Sequence, residues 1–580
     1  MQFRFIGRTA SLLPIATPPL MIGFFILRDG VNLPYWDQWE ATAPLFEKMT
    51  AGTLGWTDFF AQNNEHRILF PRLIFFVLGQ LTYWNVRAEL LVIWLLAVVC
   101  LFNIWQIARR SSWKNSAFWL LFSSSVLLFS PSSFENFLWG LQIGFLLPLA
   151  CATACIWVAT YVRHPLNFVF AMVLCSVCMF SIASGFSAWL LTTPLLLLAQ
   201  GRSKSHSCKK WWTIWVCTFF LELIAYFYGY EKPVHNPSLW WSFRHPVLAS
   251  QYFLVFLGSP FTYGTNSAPL NIGAVTGALL VLILLICATY LWRKRRDLLS
   301  DALPWLMLAM IAISTALLTM IGRGGFGAIQ ARSSRYVAFA VMLPIALLAL
   351  TPMVCSHWTR SFSARDQRLA KALSCLLPAL LLLLACPRFL ADVTQWPLTR
   401  QGRLYRKTLV SFINVVPERE DIAALIFPHV DRIKTAANNL SPIGYLGPPL
   451  LQSNLVRYVA DPASGGSPRF GQFQFHRNKR NQIELTGQAF LPDKGGPADA
   501  VLITYDNSEA EPVICAIVPI ETPQGRLRFA WDSSALPSEW KRVLPRARVP
   551  ERKQCLLKTW SYDAEACRAF RLQGSATVAR

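Results

Sequence analysis

Long apolar runs recur along the chain until about position 387 and then stop. A helix needs ~20 apolar residues to cross ~30 Å of hydrocarbon. About eleven stretches approach that length. They lie at 9–27, 88–108, 116–130, 138–160, 166–182, 187–200, 211–229, 272–292, 304–321, 337–354 and 372–387. The pattern predicts a mainly α, polytopic transmembrane helix bundle over 1–390. The first run follows Arg4 and Arg8 and contains Pro14, Pro18 and Pro19. It is long, and no small-x-small cleavage site follows it, so it reads as an uncleaved first span rather than a signal peptide. Alternate intervals between runs are basic: "RRSSWK", "RHP", "GRSKSHSCKK", "RKRRD" and "TRSFSARDQRLAK". Short cytoplasmic loops carry such an excess of Lys and Arg. The N-terminus is therefore expected in the cytoplasm, and an odd number of spans puts the C-terminus outside.

Three intervals on the outer side stand apart. The first, 28–87, ends in "ILFPRLIFFVLGQLTYW", which Pro71 and Arg72 interrupt. It reads as a helix lying in the interface rather than crossing. The second, 230–271, holds a similar half-apolar piece, "PVLASQYFLVFLG", and the third is "GRGGFGAIQARSSRY" at 322–336. Beyond 390 the pattern changes. Amphipathic pieces such as "LYRKTLVSFINVV" and "EREDIAALIFPHVDRIKTAA" predict a helical segment over 391–460. From 461 to 580 come short alternating or β-branched runs: "FGQFQFH", "QIELTGQAF", "AVLITYD", "VICAIVPI", "RLRFAW", "CLLKTWSYD" and "CRAFRLQG". Turn residues separate them, the signature of a small antiparallel β-sandwich. Both tail pieces are expected to be extracytoplasmic.

Composition agrees with a membrane chain. Of 580 residues, 54% are hydrophobic and 15% charged, and mean hydropathy is +0.37. The 23 tryptophans suit anchoring at membrane interfaces. The net charge of +23 sits largely in short loops, which argues for topology and against a nucleic-acid partner. Cys175 and Cys178 form a C-x-x-C inside a predicted span, where they read as packing residues. A Cys555–Cys567 disulfide stays open, since spacing alone proves no pairing.

The candidate chemistry lies in the outer intervals. "LPYWDQWEAT" places Asp37 and Glu40 between and beside Trp36 and Trp39. Asp-x-x-Glu is also a capping-box pattern that would start a helix over "QWEATAPLFEKMT". "NNEHR" supplies Glu65, His66 and Arg67, either a solvated turn or, if Glu65 joins Asp37, a pair of carboxylates for general-base work. "GRGGFG" is no dinucleotide fingerprint, because a span precedes it in place of a strand. Its glycines do let backbone amides approach an anion. Arg323, Arg332 and Arg335 accompany Gly324 and Gly325, and arginine forks match phosphate oxygens. Glu222 lies within a span and must pair or face a wet cavity. Glu135, Asn136 and Gln142 line the same cavity or mark an interface. His235 and His245 are too sparse for a metal site.

These residues bring out a resemblance. Over roughly 1–390 the chain resembles the GT-C class of integral-membrane glycosyltransferases, in a bacterial branch of that class. Those enzymes use polyprenyl-phosphate sugars and carry an acidic residue near the start of a long first outer loop, the place of Asp37 in "WDQWE". Many relatives have adjacent acids there. Here Gln38 follows Asp37, so Glu40 or Glu65, with His66 beside it, must supply a second group. The resemblance implies a glycosyltransferase of the bacterial inner membrane. It would move a sugar from a polyprenyl-phosphate donor to a cell-envelope glycan or lipid acceptor on the outer face. Asp37 would be the base; the resemblance carries no role for the "GRGGFG" stretch, and it is the chemistry of the residues themselves by which Arg323, Arg332, Arg335, Gly324, Gly325 and Arg67 would bind substrate. Its partners would be membrane lipids, the lipid-linked sugar and the acceptor. No cofactor is expected, and a divalent metal stays open. The competing readings are a surface-glycan polymerase or ligase using lipid-diphosphate donors, a lipid or glycan transporter, and a glycan-binding scaffold.

Overall fold

The computed structural model describes residues 13–110, 117–201, 208–262, 267–358, 364–416, 418–447, 450–477, 482–521, 538–545, 548 and 554–579. The described chain is mainly helical, with small sheets toward its C-terminus. Seven helices are long and apolar enough to cross a membrane: Val86–Ala108, Gly140–Tyr161, Ala183–Gln200, Leu270–Lys294, Arg296–Phe326, Ser334–His357 and Leu376–Ser411. This is fewer than the eleven expected. The remaining four stretches do form helices, but Leu13–Asp29, Ala117–Leu128 and Leu166–Met179 are only 17, 12 and 14 residues long, and Cys208–Phe227 carries Lys209, Lys210 and Glu222.

By contact the chain forms two compact units. The first comprises Met1–Arg28, Gly55–Phe75 and Glu89–Val393; the second comprises Asp29–Leu54, Phe76–Ala88 and Thr394–Arg580.

Inside the first unit, polar groups repair what prolines break. Pro19 removes the amide that would serve the Ile15 carbonyl, and Ser125 Oγ donates to that oxygen at 2.7 Å. Asn103 ties its helix to Gly140–Tyr161, donating to Ala150 O at 3.1 Å and Thr153 Oγ1 at 3.0 Å. The helices Pro246–Gly258 and Ser267–Lys294 meet through glycines. A Cβ on Gly277 would stand 2.0 Å from Leu254 O, and one on Gly258 would stand 2.0 Å from Gly273 O. Only backbones without side chains approach so closely.

The second unit has two apolar cores. One gathers Val31, Leu33, Trp39, Phe46 and Trp84 with Leu404, Leu409, Phe412, Ile433, Leu440 and strand residues to Ala569. Three helices, Gln395–Ser411, Arg419–Leu425 and Val430–Leu440, contribute to it. The other core lies among the strands. Pro512–Val518, Ala500–Asp506, Gln554–Asp563 and Arg568–Arg571 run in that order through one antiparallel sheet, and Ala576–Ala579 pairs with Gln554–Asp563. Val501 opposes Ser561 and Val518 there. Gly471–Arg477 and Glu539–Leu544 pair with opposite edges of Ile483–Leu491 in a second sheet. Leu485 and Trp540 of that sheet share the core with Val501, Ile503 and Leu557 of the first. The stretch "RLRFAW" falls outside the described residues. Cys555 and Cys567 are both free thiols, so the disulfide left open by the sequence is not formed here.

Candidate functional site

A two-residue turn carries the acidic cluster of the first unit. Gln62–Asn63 pairs antiparallel with His66–Arg67, and Asn64 and Glu65 form the tip. Asn64 has φ of 49°, a left-handed conformation that asparagine tolerates. Arg67 holds the hairpin in place. Its Nε donates to Tyr226 O at 2.6 Å, Nη1 to Phe60 O at 3.0 Å, and Nη2 to Tyr228 O. Gln62 Oε1 accepts from Glu231 N at 3.1 Å. Arg67 is thus spent on backbone carbonyls of this unit, which makes it a strut for Glu65 and His66.

Glu65 and Arg323 form the centre of the site. Glu65 Oε1 accepts from Arg323 Nε at 2.8 Å and Nη2 at 2.5 Å, and Oε2 accepts from Asn236 Nδ2 at 3.1 Å. Burial acts to raise the Glu65 pKa; the charge of His66 once that ring is protonated, the Arg323 charge and the Arg323 hydrogen bonds outweigh it, holding the carboxyl down to about 2. So placed, Glu65 is a weak base and a strong anchor for Arg323.

His66 is set by a backbone donor. Ala183 N–H donates to His66 Nδ1 at 3.0 Å, so the ring proton resides on Nε2. That nitrogen is 3.6 Å from Glu65 Oε1. Burial pushes the His66 pKa down; Glu65 opposes this, and Arg323 and Arg335 push it further. The neutral ring offers an Nε2–H donor. Gly185 is required nearby, since a Cβ there would meet Cys178 O at 1.9 Å.

Glu65, His66 and Arg323 line one side of a cavity of about 230 Å³. The rest is largely apolar: Phe145, Met179, Ile182, Phe186, Leu223, Phe227 and Leu318, with Tyr226, Tyr230 and Tyr336 among them. Such a cavity suits an amphiphile with a charged head.

The loop 330–336 adds a further cation. Glu135 Oε2 accepts from Ser333 Oγ at 2.9 Å and from Arg335 N at 3.0 Å, while Asn136 Nδ2 donates to Arg335 O at 3.1 Å. Arg335 is thereby fixed through its backbone. Its guanidinium lies 5.3 Å from the Tyr336 ring centroid and has no carboxylate partner among the described residues. Arg332 has different company. Burial and then the Arg388 charge work against its guanidinium, and Asp392 favours it. The two arginines grouped by the sequence therefore sit in different electrostatic settings.

The glycines have a packing reason. A Cβ on Gly325 would stand 2.6 Å from Pro237, and one on Gly324 3.2 Å from Trp241 and Ser242. Gly324 N–H donates to Met320 O and Gly327 N–H to Gly324 O, so these amides are already engaged.

Asp37 and Glu40 belong to the second unit. The expected capping box is absent. Asp37 precedes the helix Gln38–Ala41 with no side-chain cap bond, and its backbone carbonyl accepts from Glu40 N at 3.1 Å and Ala41 N at 2.7 Å. The expected helix over 38–50 breaks at Thr42, before Ala43–Thr50. Asp37 is half-buried and Glu40 exposed. Glu222 accepts a hydrogen bond from Ser176 Oγ. Among the described residues, no group of three or more His, Cys, Asp or Glu could hold a metal ion.

Sequence reasoning missed Asn236, Tyr226 and Ala183. None belongs to a charged cluster, and only the fold brings them to Glu65 and His66. No protein-family model matches the chain, and no curated protein or solved structure does either.

Proposed function

We propose that the chain is a glycosyltransferase of the bacterial inner membrane that uses a polyprenyl-phosphate sugar and acts on the outer face. The observation that carries the reading is the apolar cavity bordered by Arg323, neutral His66 and the nearby Arg335. A lipid phosphate has the matching character, an anion joined to hydrocarbon. The departing lipid phosphate gains negative charge as the sugar leaves, and preorganised donors aimed at such charge are effective catalysts. Arg323 is held ready by Glu65, and His66 Nε2–H supplies a neutral donor. The acceptor hydroxyl needs a base. Glu65 is too acidic for that, and Asp37, a residue of the second unit, is proposed as the base from its place in the sequence alone, with eleven spans and an outer β-sandwich tail completing the architecture.

Lipid and glycan mass spectrometry of a strain lacking the chain tests the function. A lipid-phosphate sugar should accumulate, and a surface glycan or lipid should lack one sugar; an unchanged profile of both would refute the reading. The site has its own test. Arg335→Gln should weaken polyprenyl-phosphate binding by about tenfold or more, since it removes a charge-assisted fork. Arg332→Gln should have the smaller effect, and equal Kd values for wild type and Arg335→Gln would remove Arg335 from the site.

A further inference from the structure

The cavity of the first unit carries polar groups that phosphate binding does not use. The helix Cys208–Phe227 ends where Gly229 takes φ of 60°, a left-handed turn that glycine allows. The turn folds Tyr230 back onto that helix. Its ring centroid is 6.5 Å from that of Tyr226, with the planes 26° apart, and 5.6 Å from that of Phe227, with the planes at 70°. All three rings line the cavity, as does Glu65.

The segment after Tyr230 is pinned to the hairpin that carries Glu65. Gln62 Oε1 accepts from Glu231 N at 3.1 Å, and Gln62 Nε2 donates to Glu231 O at 2.5 Å. Further along, Asn236 Nδ2 donates to Glu65 Oε2 at 3.1 Å. Tyr230 is thus placed relative to Glu65 by its own helix on one side and by these amides on the other. Two hydrogen-bonding positions stay open between them. The Tyr226 phenol donates to Glu65 O at 2.8 Å, whereas the Tyr230 phenol bonds to no described residue. Burial, and then the Glu65 charge, push the Tyr230 pKa up, so the phenol keeps its proton and is a donor. An ionised carboxylate has about four acceptor positions. Arg323 takes those on Oε1 through Nε and Nη2, and Asn236 takes one on Oε2, which leaves one on Oε2.

A donor beside an acceptor suits a hydroxyl, which accepts one hydrogen bond and donates another. An ionised phosphate oxygen only accepts, and the Glu65 charge disfavours it at this spot. We propose that Tyr230 and Glu65 Oε2 bind a hydroxyl of the sugar carried by the lipid phosphate. The Tyr230 phenol donates to the sugar oxygen, and the sugar O–H donates to Oε2. The rings of Phe227 and Tyr230 offer apolar surface for the C–H face of the sugar, the usual partnership of a few polar groups with an aromatic wall. The inference rests on the transferase reading and adds to it the residues that recognise the sugar.

The test titrates the full chain in detergent micelles and reads Kd from tryptophan fluorescence. The probes are citronellyl phosphate and the citronellyl phosphodiesters of glucose, galactose, mannose and N-acetylglucosamine. Tyr230→Phe removes the phenol oxygen and keeps the ring. It should weaken the best-binding phosphodiester about three- to tenfold, the worth of one neutral hydrogen bond, and leave the Kd for citronellyl phosphate unchanged. That unchanged Kd also shows that the variant is folded. If the wild type binds citronellyl phosphate but no phosphodiester, or if Tyr230→Phe binds the best phosphodiester as well as wild type does, this inference falls while the lipid-phosphate cavity stands. Equal weakening of both kinds of probe would assign Tyr230 to the phosphate and overturn the inference as well. A wild type that binds none of the probes would remove the cavity reading itself, and the sugar site with it.

Discussion

Asp37→Asn keeps the size and hydrogen-bonding shape of the side chain and removes its charge, and asparagine is a good residue to precede a helix. Asp37→Asn should therefore leave Tm nearly unchanged while sugar transfer falls by ~10²–10⁴, the usual loss when a general base is removed. Near-normal turnover in a single-turnover assay would show that Asp37 is not the base. Glu65 has a different signature. Its folded pKa of about 2 lies below the ordinary 4.5, so the stability it contributes is complete above about 4.5 and is lost as pH falls toward 2. The Tm difference between wild type and Glu65→Gln should stay constant from pH 7 to 5 and close below 4.5. A difference that already closes between pH 7 and 5 would show that Arg323 does not hold this carboxylate. The sequence displayed the acids themselves, because charges beside tryptophans between apolar runs are conspicuous. It could not display their roles. Those come from Asn236, from the Ala183 amide and from the loop that Glu135 clamps, all remote in the chain.

The helices and most strands were readable from runs and alternation. "EWKRVL" was overlooked because Glu539, Lys541 and Arg542 mask its alternation, although Trp540 and Leu544 point into the core. "ATVA", at the chain end, is simply short. Helix-to-helix closeness is a further element property that the apolar count hides. Gly277→Ala places a methyl 2.0 Å from Leu254 O, a backbone atom that cannot turn aside. The helices must separate, at a cost of about 1–3 kcal/mol that exceeds the ~1 kcal/mol gained in helix propensity. Gly402→Ala is the control. Its Cβ meets nothing nearer than Arg406 Nη1 at 3.7 Å, so it should stabilise by about 0.5–1 kcal/mol. Thermal melting of both variants checks the contrast, and a stabilised Gly277→Ala would mean that these helices do not touch as described.

At the scale of the whole molecule, the basic loops predict that the tail lies outside. A reporter enzyme that works only beyond the membrane should be active when fused after Arg580. Activity only from a cytoplasmic reporter at that position would reverse the topology. What the apolar pattern did not reveal is that Asp29–Leu54 and Phe76–Ala88 belong with the tail, since contacts of such sequence separation leave no periodic trace. That pairing matters while the chain is being made. Trp39, Phe46 and Trp84 emerge early, yet the side chains that enclose them extend to Tyr562 and Ala569. At ~5–20 residues per second, translation leaves those rings without their partners for on the order of half a minute to a minute and a half. The bilayer surface or a chaperone must shelter them for that interval. A premature stop codon in the tail would therefore do more than remove an appendage: it would leave the Asp29–Leu54 segment permanently unsheltered, and such products should be cleared by proteases.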